Sequence, residues 1–110
     1  LSNSTVLQKR AYKRYTINNA NLQLIIELIC KELNCKVFEF TYFEKQEFIY
    51  ILYESIDISK IEISRLLLQH NATIHYSYNL IQNLITVDKE LKLKLEDIIK
   101  KVKTFYSTLN

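Results

Sequence analysis

The residues best suited to chemistry are few. Two cysteines, Cys30 and Cys35, and two histidines, His70 and His75, each stand five positions apart. Four such nitrogen and sulfur ligands suffice for a structural zinc site, but the cysteine spacing lies at the edge of the usual range. A buried free cysteine ordinarily acts as a small hydrophobe, and His70 and His75 read as turn and exposed-face residues. No metal site is assigned. A cysteine nucleophile needs an activating partner, and no pattern places one beside either thiol. The carboxylates Glu44, Glu47 and Glu54 recur along one helical stretch and read as a solvated face. The eight tyrosines could stack on single-stranded bases, yet Tyr50, Tyr53 and Tyr78 fall at helical spacing and read as the rim of a core. The chain is not read as an enzyme and no cofactor is assigned.

A different run remains. Gln69-His70-Asn71 is a polar break between two helical patterns, and Asn71, Ala72, Thr73, His75 and Tyr76 open the second of them. An asparagine amide can pair with an adenine edge, a threonine can donate or accept, and an alanine methyl can meet a thymine methyl. A short helix, a turn of three or four residues and a second helix form the helix-turn-helix unit, whose second helix offers its first residues to base edges in the major groove. A two-helix corner with no ligand has the same pattern, and both readings stand at this point.

These residues must be held by a small domain. The chain has 110 residues, 48% of them hydrophobic and 12% aromatic, which fits one globular unit. Glycine and proline are both absent. Glycine-rich phosphate loops are thereby excluded, tight primed hairpins are disfavoured, and a long chain without breakers reads as all-α. No apolar run is long enough to span a membrane, and no apolar stretch follows the basic N-terminal residues as in a signal peptide. Two cysteines are too few for a disulfide framework. A cytoplasmic address is expected.

The net charge is +3, unevenly placed. Residues 1–16 carry Lys9, Arg10, Lys13 and Arg14 and no acid, whereas 17–88 carry five basic and nine acidic side chains. The last segment is basic again. Basic ends suit nucleic acid; an acidic middle does not. Residues 1–15 read either as a frayed terminus or as a DNA-contacting arm, and residues 16–110 as the helical domain.

Five helical segments are predicted, with room for a sixth. Asn18 or Asn19 caps a helix over 19–33 with Leu22, Ile25, Ile26, Ile29 and Leu33 inward, and Asn34 serves as a left-handed terminator. The β-branched and aromatic run 36–43 has no second strand to pair with, so a short helix and a connector are predicted there. A helix over 44–56 buries Phe48, Ile51, Leu52 and Ile56. Ser59 and Glu62 form a capping box for a helix over 60–68 with Ile63, Leu66 and Leu67 inward. Asn71 caps a helix over 72–85 lined by Ile74, Tyr78, Ile81, Leu84 and Ile85. Asp88 caps the last, with Leu91, Leu95, Ile98 and Val102 on one side.

Taken in order, the stretches Ser59-Lys60-Ile61-Glu62-Ile63-Ser64-Arg65, Asn71-Ala72-Thr73-Ile74-His75-Tyr76-Ser77, Ile81 and Asp88-Lys89-Glu90-Leu91 resemble the C-terminal, origin-box-binding domain of the bacterial replication initiator DnaA. Leu22 to Phe40 and Gln46 to Ile56 are similar to that family's first helices, so the resemblance spans about residues 16–102. It implies a compact domain of five to six helices containing a helix-turn-helix, as in Trp repressor. The family's run "HTTV" stands here as Asn71-Ala72-Thr73-Ile74, and its basic connector as the net-negative Thr41-Tyr42-Phe43-Glu44-Lys45-Gln46-Glu47. The family's AAA+ motor has no counterpart in a chain without glycine.

The resulting expectation is a sequence-specific double-stranded DNA-binding module of replication or transcription. Asn71, Ala72, Thr73, His75 and Tyr76 read bases, Lys45, Lys60 and Arg65 hold phosphates, and Lys9, Arg10, Lys13 and Arg14 supply an arm. The alternative is a protein-interaction or self-association module on the same scaffold, using Phe38, Phe40, Tyr42 and Phe43.

Overall fold

A computed structural model describes residues 17–109. Five helices follow one another: α1 (Asn19–Glu32), α2 (Tyr42–Ser55), α3 (Lys60–Leu67), α4 (Asn71–Leu84) and α5 (Lys89–Thr108). Among the described residues there is no strand, only an isolated bridge between Lys36 and Glu39. The all-α architecture follows from a chain whose breaks are made by caps rather than by glycine or proline.

Each boundary has a local cause. The Asn21 N–H donates to Asn18 Oδ1 at 2.8 Å and starts α1. At its other end Asn34 turns left-handed, with φ 58°. The Cys35 and Asn34 amides there donate to the Cys30 and Lys31 carbonyls at 2.9 and 3.1 Å, the paired bonds of a Schellman terminus. Ser59 and Glu62 cap α3 reciprocally, and Asp88 Oδ1 accepts from the Leu91 amide at 3.0 Å to start α5.

Three predicted boundaries shift. The short helix expected within 36–43 is absent. Thr41 and Glu44 form a second capping box, with bonds of 2.8 and 3.2 Å, so α2 begins at Tyr42. The stretch from Cys35 to Phe40 is then too short for a helix and closes as a turn, in which the Glu39 amide reaches the Lys36 carbonyl at 3.0 Å. The polar break lies one residue earlier than predicted, at Leu68-Gln69-His70. Asn71 is likewise not the cap of α4. The Thr73 and Ile74 amides both donate to the His70 carbonyl, at 3.0 and 3.2 Å, which makes His70 the cap and Asn71 the first helical residue.

The core is built around α2, which packs against α1, α3, α4 and α5. Every residue from Gln46 to Leu52 is buried. The expected stripe of Phe48, Ile51, Leu52 and Ile56 is present, and Ile49 and Tyr50 join it because neighbours cover more than one side of the helix. Burying each large apolar side chain contributes about 1.5–3 kcal/mol. Around α2 stand Leu22, Ile25, Ile26 and Ile29 of α1, Ile63 of α3, Ile74, Tyr78 and Ile81 of α4, and Leu91, Leu95, Ile98 and Val102 of α5.

The solvated-face reading of the α2 carboxylates needs correction. Glu47 is only 2% exposed and accepts from Lys94 Nζ at 2.9 Å. Glu54 is half-buried and accepts from the Tyr78 hydroxyl at 2.7 Å. Glu44 serves the capping box. Each carboxylate is spent on structure, Glu44 at the exposed start of α2 and Glu47 and Glu54 where neighbouring helices pack against it. No helix among the described residues is long and apolar enough to cross a membrane.

Candidate nucleic-acid interface

The surface in question begins with the end of α3. Leu68 takes a left-handed backbone, φ 55°, and the Gln69 amide donates to the Ser64 carbonyl at 2.9 Å. This is the same terminus that Asn34 provides for α1. A leucine here costs about 1–2 kcal/mol relative to a residue at ease in that region, and its side chain is 89% exposed. Two residues later α4 starts.

Ile74 is fully buried, and Ser77, Tyr78 and Ile81 follow it inward. The helical repeat therefore turns Asn71, Ala72, Thr73, His75 and Tyr76 outward, and all five are exposed. Among the described residues no side chain caps the first turn of α4, so amides at that end lack a side-chain acceptor there and the helix dipole favours an anion. From Asn71 to Leu84 the helix has no Asp, Glu, Lys or Arg. Its outer face offers amides, hydroxyls, an imidazole and a phenol.

The basic residues assigned to phosphate lie on neighbouring elements. Lys60, the first residue of α3, sets its Nζ 3.1 Å from His75 Nδ1. The same ammonium lies 4.4 Å from the Tyr78 ring centre and 5.1 Å from that of Tyr53. Tyr78 stacks on Tyr50 at 5.1 Å and meets Tyr53 edge-on at 5.0 Å. Arg65 is exposed in the last turn of α3 and forms no ion pair among the described residues. Lys45 borders a groove of about 290 Å³ with Phe38, Phe40, Leu66, Leu67 and Leu68, beside the turn that leads into α4. The structure thus joins Lys60 to the α4 face and brings Lys45 to the turn, while the Arg65 side chain has no polar partner among the described residues. Lys9, Arg10, Lys13 and Arg14 lie outside the described residues.

The three tyrosines read as core rim occupy that position, with Tyr50 and Tyr78 buried and Tyr53 partly so. Burial, followed by the bond to Glu54, raises the Tyr78 phenol above its ordinary value. Sequence reasoning did not find the seat that Tyr53 and Tyr78 make for Lys60, since it joins three helices and leaves no mark in local spacing.

The cysteines sit elsewhere. Cys30 is buried in the core, and burial, assisted by neighbouring Cys35, pushes its thiol up to about 12. That direction is opposite to the depressed value of an activated nucleophile. Among the described residues no three His, Cys, Asp or Glu side chains gather in a way that could hold a metal.

Comparison with protein-family models, with curated proteins and with solved structures finds no match to this chain.

Proposed function

We propose that the protein is a sequence-specific double-stranded DNA-binding module in which α3, the turn and α4 act as a helix-turn-helix, similar to the origin-box-binding domain of the DnaA initiators. One observation carries the reading. With Ile74 as the buried anchor, Asn71, Ala72, Thr73, His75 and Tyr76 all face solvent on the leading turns of a helix that follows a short capped helix and a three-residue break. Their chemistry matches base edges. The first turn of α4, uncapped by any described side chain, and Arg65, which pairs with no described carboxylate, suit flanking phosphates. Replication or transcription control is the process that the resemblance implies.

Electrostatic supply is the demanding part of this reading. Residues 17–109 hold eleven of the fifteen Lys and Arg and all twelve Asp and Glu. Net attraction to a polyanion then falls to Lys9, Arg10, Lys13 and Arg14, the assigned arm. Selection from a random duplex pool at 0.1 M salt is the test. Enrichment of one motif, lost when Thr73 and Asn71 are both replaced by alanine, supports the reading. A pool that stays random with the full chain overturns it.

A second reading has its own observation. Phe38 and Leu68 both adopt left-handed backbone, border the same groove and leave their side chains 48% and 89% exposed. Tyr42 and Phe43 are exposed as well. Apolar surface retained at strained positions fits a protein contact or self-association. Sedimentation of the chain and of a Phe38→Ser, Leu68→Ser variant distinguishes this: a dimer that dissociates in the variant supports it, and a monomer at high concentration removes self-association.

A further inference from the structure

We infer that Lys60 is a positioning residue for the α4 face, holding His75 in its Nε2–H tautomer so that this position selects a hydrogen-bond acceptor on the base it meets. The inference rests on the duplex-binding reading and assigns Lys60 a role other than gripping phosphate.

Lys60 Nζ approaches His75 Nδ1 to 3.1 Å. An ammonium has three donors and no acceptor. The imidazole nitrogen facing it therefore supplies a lone pair, and the single ring proton of neutral His75 resides on Nε2. With Nδ1 occupied by Lys60, the nitrogen left to meet a ligand is the donor.

The lysine is itself held in place. Its ammonium lies over the rings of Tyr78 and Tyr53, an arrangement that attracts a cation to the ring face. Tyr78 is fixed beneath it by the stack on Tyr50 and by the bond to Glu54. Among the described residues no carboxylate pairs with Lys60, so its donors are directed by His75 and the two rings. The chain of support runs from α2 through Tyr78 to Lys60 and then to His75, which is exposed.

The chemical consequence concerns one base. An Nε2–H group can donate to N7 or O6 of guanine, N7 of adenine or O4 of thymine, whereas cytosine presents a donor amine in the major groove. Cytosine is the base that His75 in this tautomer rejects. Were the proton on Nδ1 instead, Nε2 would accept, and the donor amines of cytosine and adenine would be its partners.

Two measurements on the full chain test this. Long-range proton–nitrogen spectra of the histidine rings at about pH 8, where an ordinary imidazole is neutral, should show the Nε2–H pattern for His75. Lys60→Met keeps an alkyl chain over the tyrosines but removes the donor, and should turn that pattern into a mixture of tautomers. In duplex selection the same variant should relax discrimination against cytosine at one position by roughly tenfold, with the salt slope of binding unchanged. His75→Ala should relax the same position, and the double variant should add little more. An Nδ1–H pattern in the native chain, or a pattern unmoved in Lys60→Met, overturns the inference. So does uniform weakening on every duplex with a salt slope lower by about one, which marks a phosphate contact. A chain that selects no duplex overturns the DNA reading and the selective role with it, and the ring spectrum separates that failure from failure of the Lys60–His75 bond.

Discussion

The hydroxyl of Tyr78 donates to Glu54 Oε2 at 2.7 Å and ties α4 to α2 across 24 positions of sequence. Burial and this bond both favour the neutral phenol and raise its ionisation above the usual value. In the unfolded chain the phenol loses its proton near pH 10. The contribution of Tyr78 is therefore fully present below about pH 10 and declines as the pH rises toward the native value. Thermal melts should hold steady to about pH 9.5 and drop above it. Tyr78→Phe should cost about 1–2 kcal/mol at neutral pH, since a bond to a carboxylate is lost, and should soften the alkaline decline. Tyr50, also raised by burial, keeps the decline from vanishing. A Phe variant with the native alkaline slope would remove Tyr78 from this account.

Leu68 offers a gain of stability. Its left-handed backbone strains a leucine, and its side chain contributes little buried area. Leu68→Gly relieves the strain and gives back part of the benefit in unfolded-chain entropy. A net gain of about 0.5–1 kcal/mol is expected, seen as a rise of a few degrees in Tm. Asn34→Gly, at a residue already tolerant of that conformation, should change Tm less. Equal effects at the two positions would contradict the strain argument.

Glu47 and Lys94 should behave as a dependent pair. Glu47 is nearly inaccessible while Lys94 is half exposed, with 2.9 Å between Nζ and Oε2. Lys94→Met strands a buried carboxylate and should cost about 1–3 kcal/mol, below the full value for an enclosed pair because water reaches the lysine. Adding Glu47→Gln removes the stranded charge and should recover part of the loss. Urea titration of the single and double variants measures the coupling, and simple additivity would show that the pair is not interacting.

Arg65 and Thr73 should differ in kind if α4 reads a duplex. Arg65→Ala should weaken all duplexes alike and reduce the salt slope by about one. Thr73→Ala should cost roughly 1–3 kcal/mol on the selected site alone. Binding isotherms over a salt series separate the two. An Arg65 variant with the native salt slope would withdraw its phosphate assignment.

Much of the fold was legible because its boundaries are set by neighbours in sequence. Asn18, Asn34, Ser59 with Glu62, and Asp88 act where their chemistry places them, and the apolar stripes of α1, α4 and α5 face inward as spaced. Thr41 and Glu44 carry the same capping pattern as Ser59 and Glu62, but the aromatic run beside them suggested other structure and hid it. What could not be read depends on partners distant in the chain. Glu47 looks solvent-facing until α5 delivers Lys94 to it, and Lys60 looks like a free cation until α2 and α4 bring Tyr53, Tyr78 and His75 beneath and beside it. For the candidate site, outward presentation of five residues followed from a single anchor, Ile74. The internal wiring of that surface did not.

The uncharged outer face of α4 has a consequence for how such a reader would evolve. On the duplex reading, choice of sequence and strength of hold belong to different parts of the molecule. A change on this helix would redirect the protein to another site while leaving its general adhesion intact, and rising ionic strength would loosen the hold before it blurred the choice.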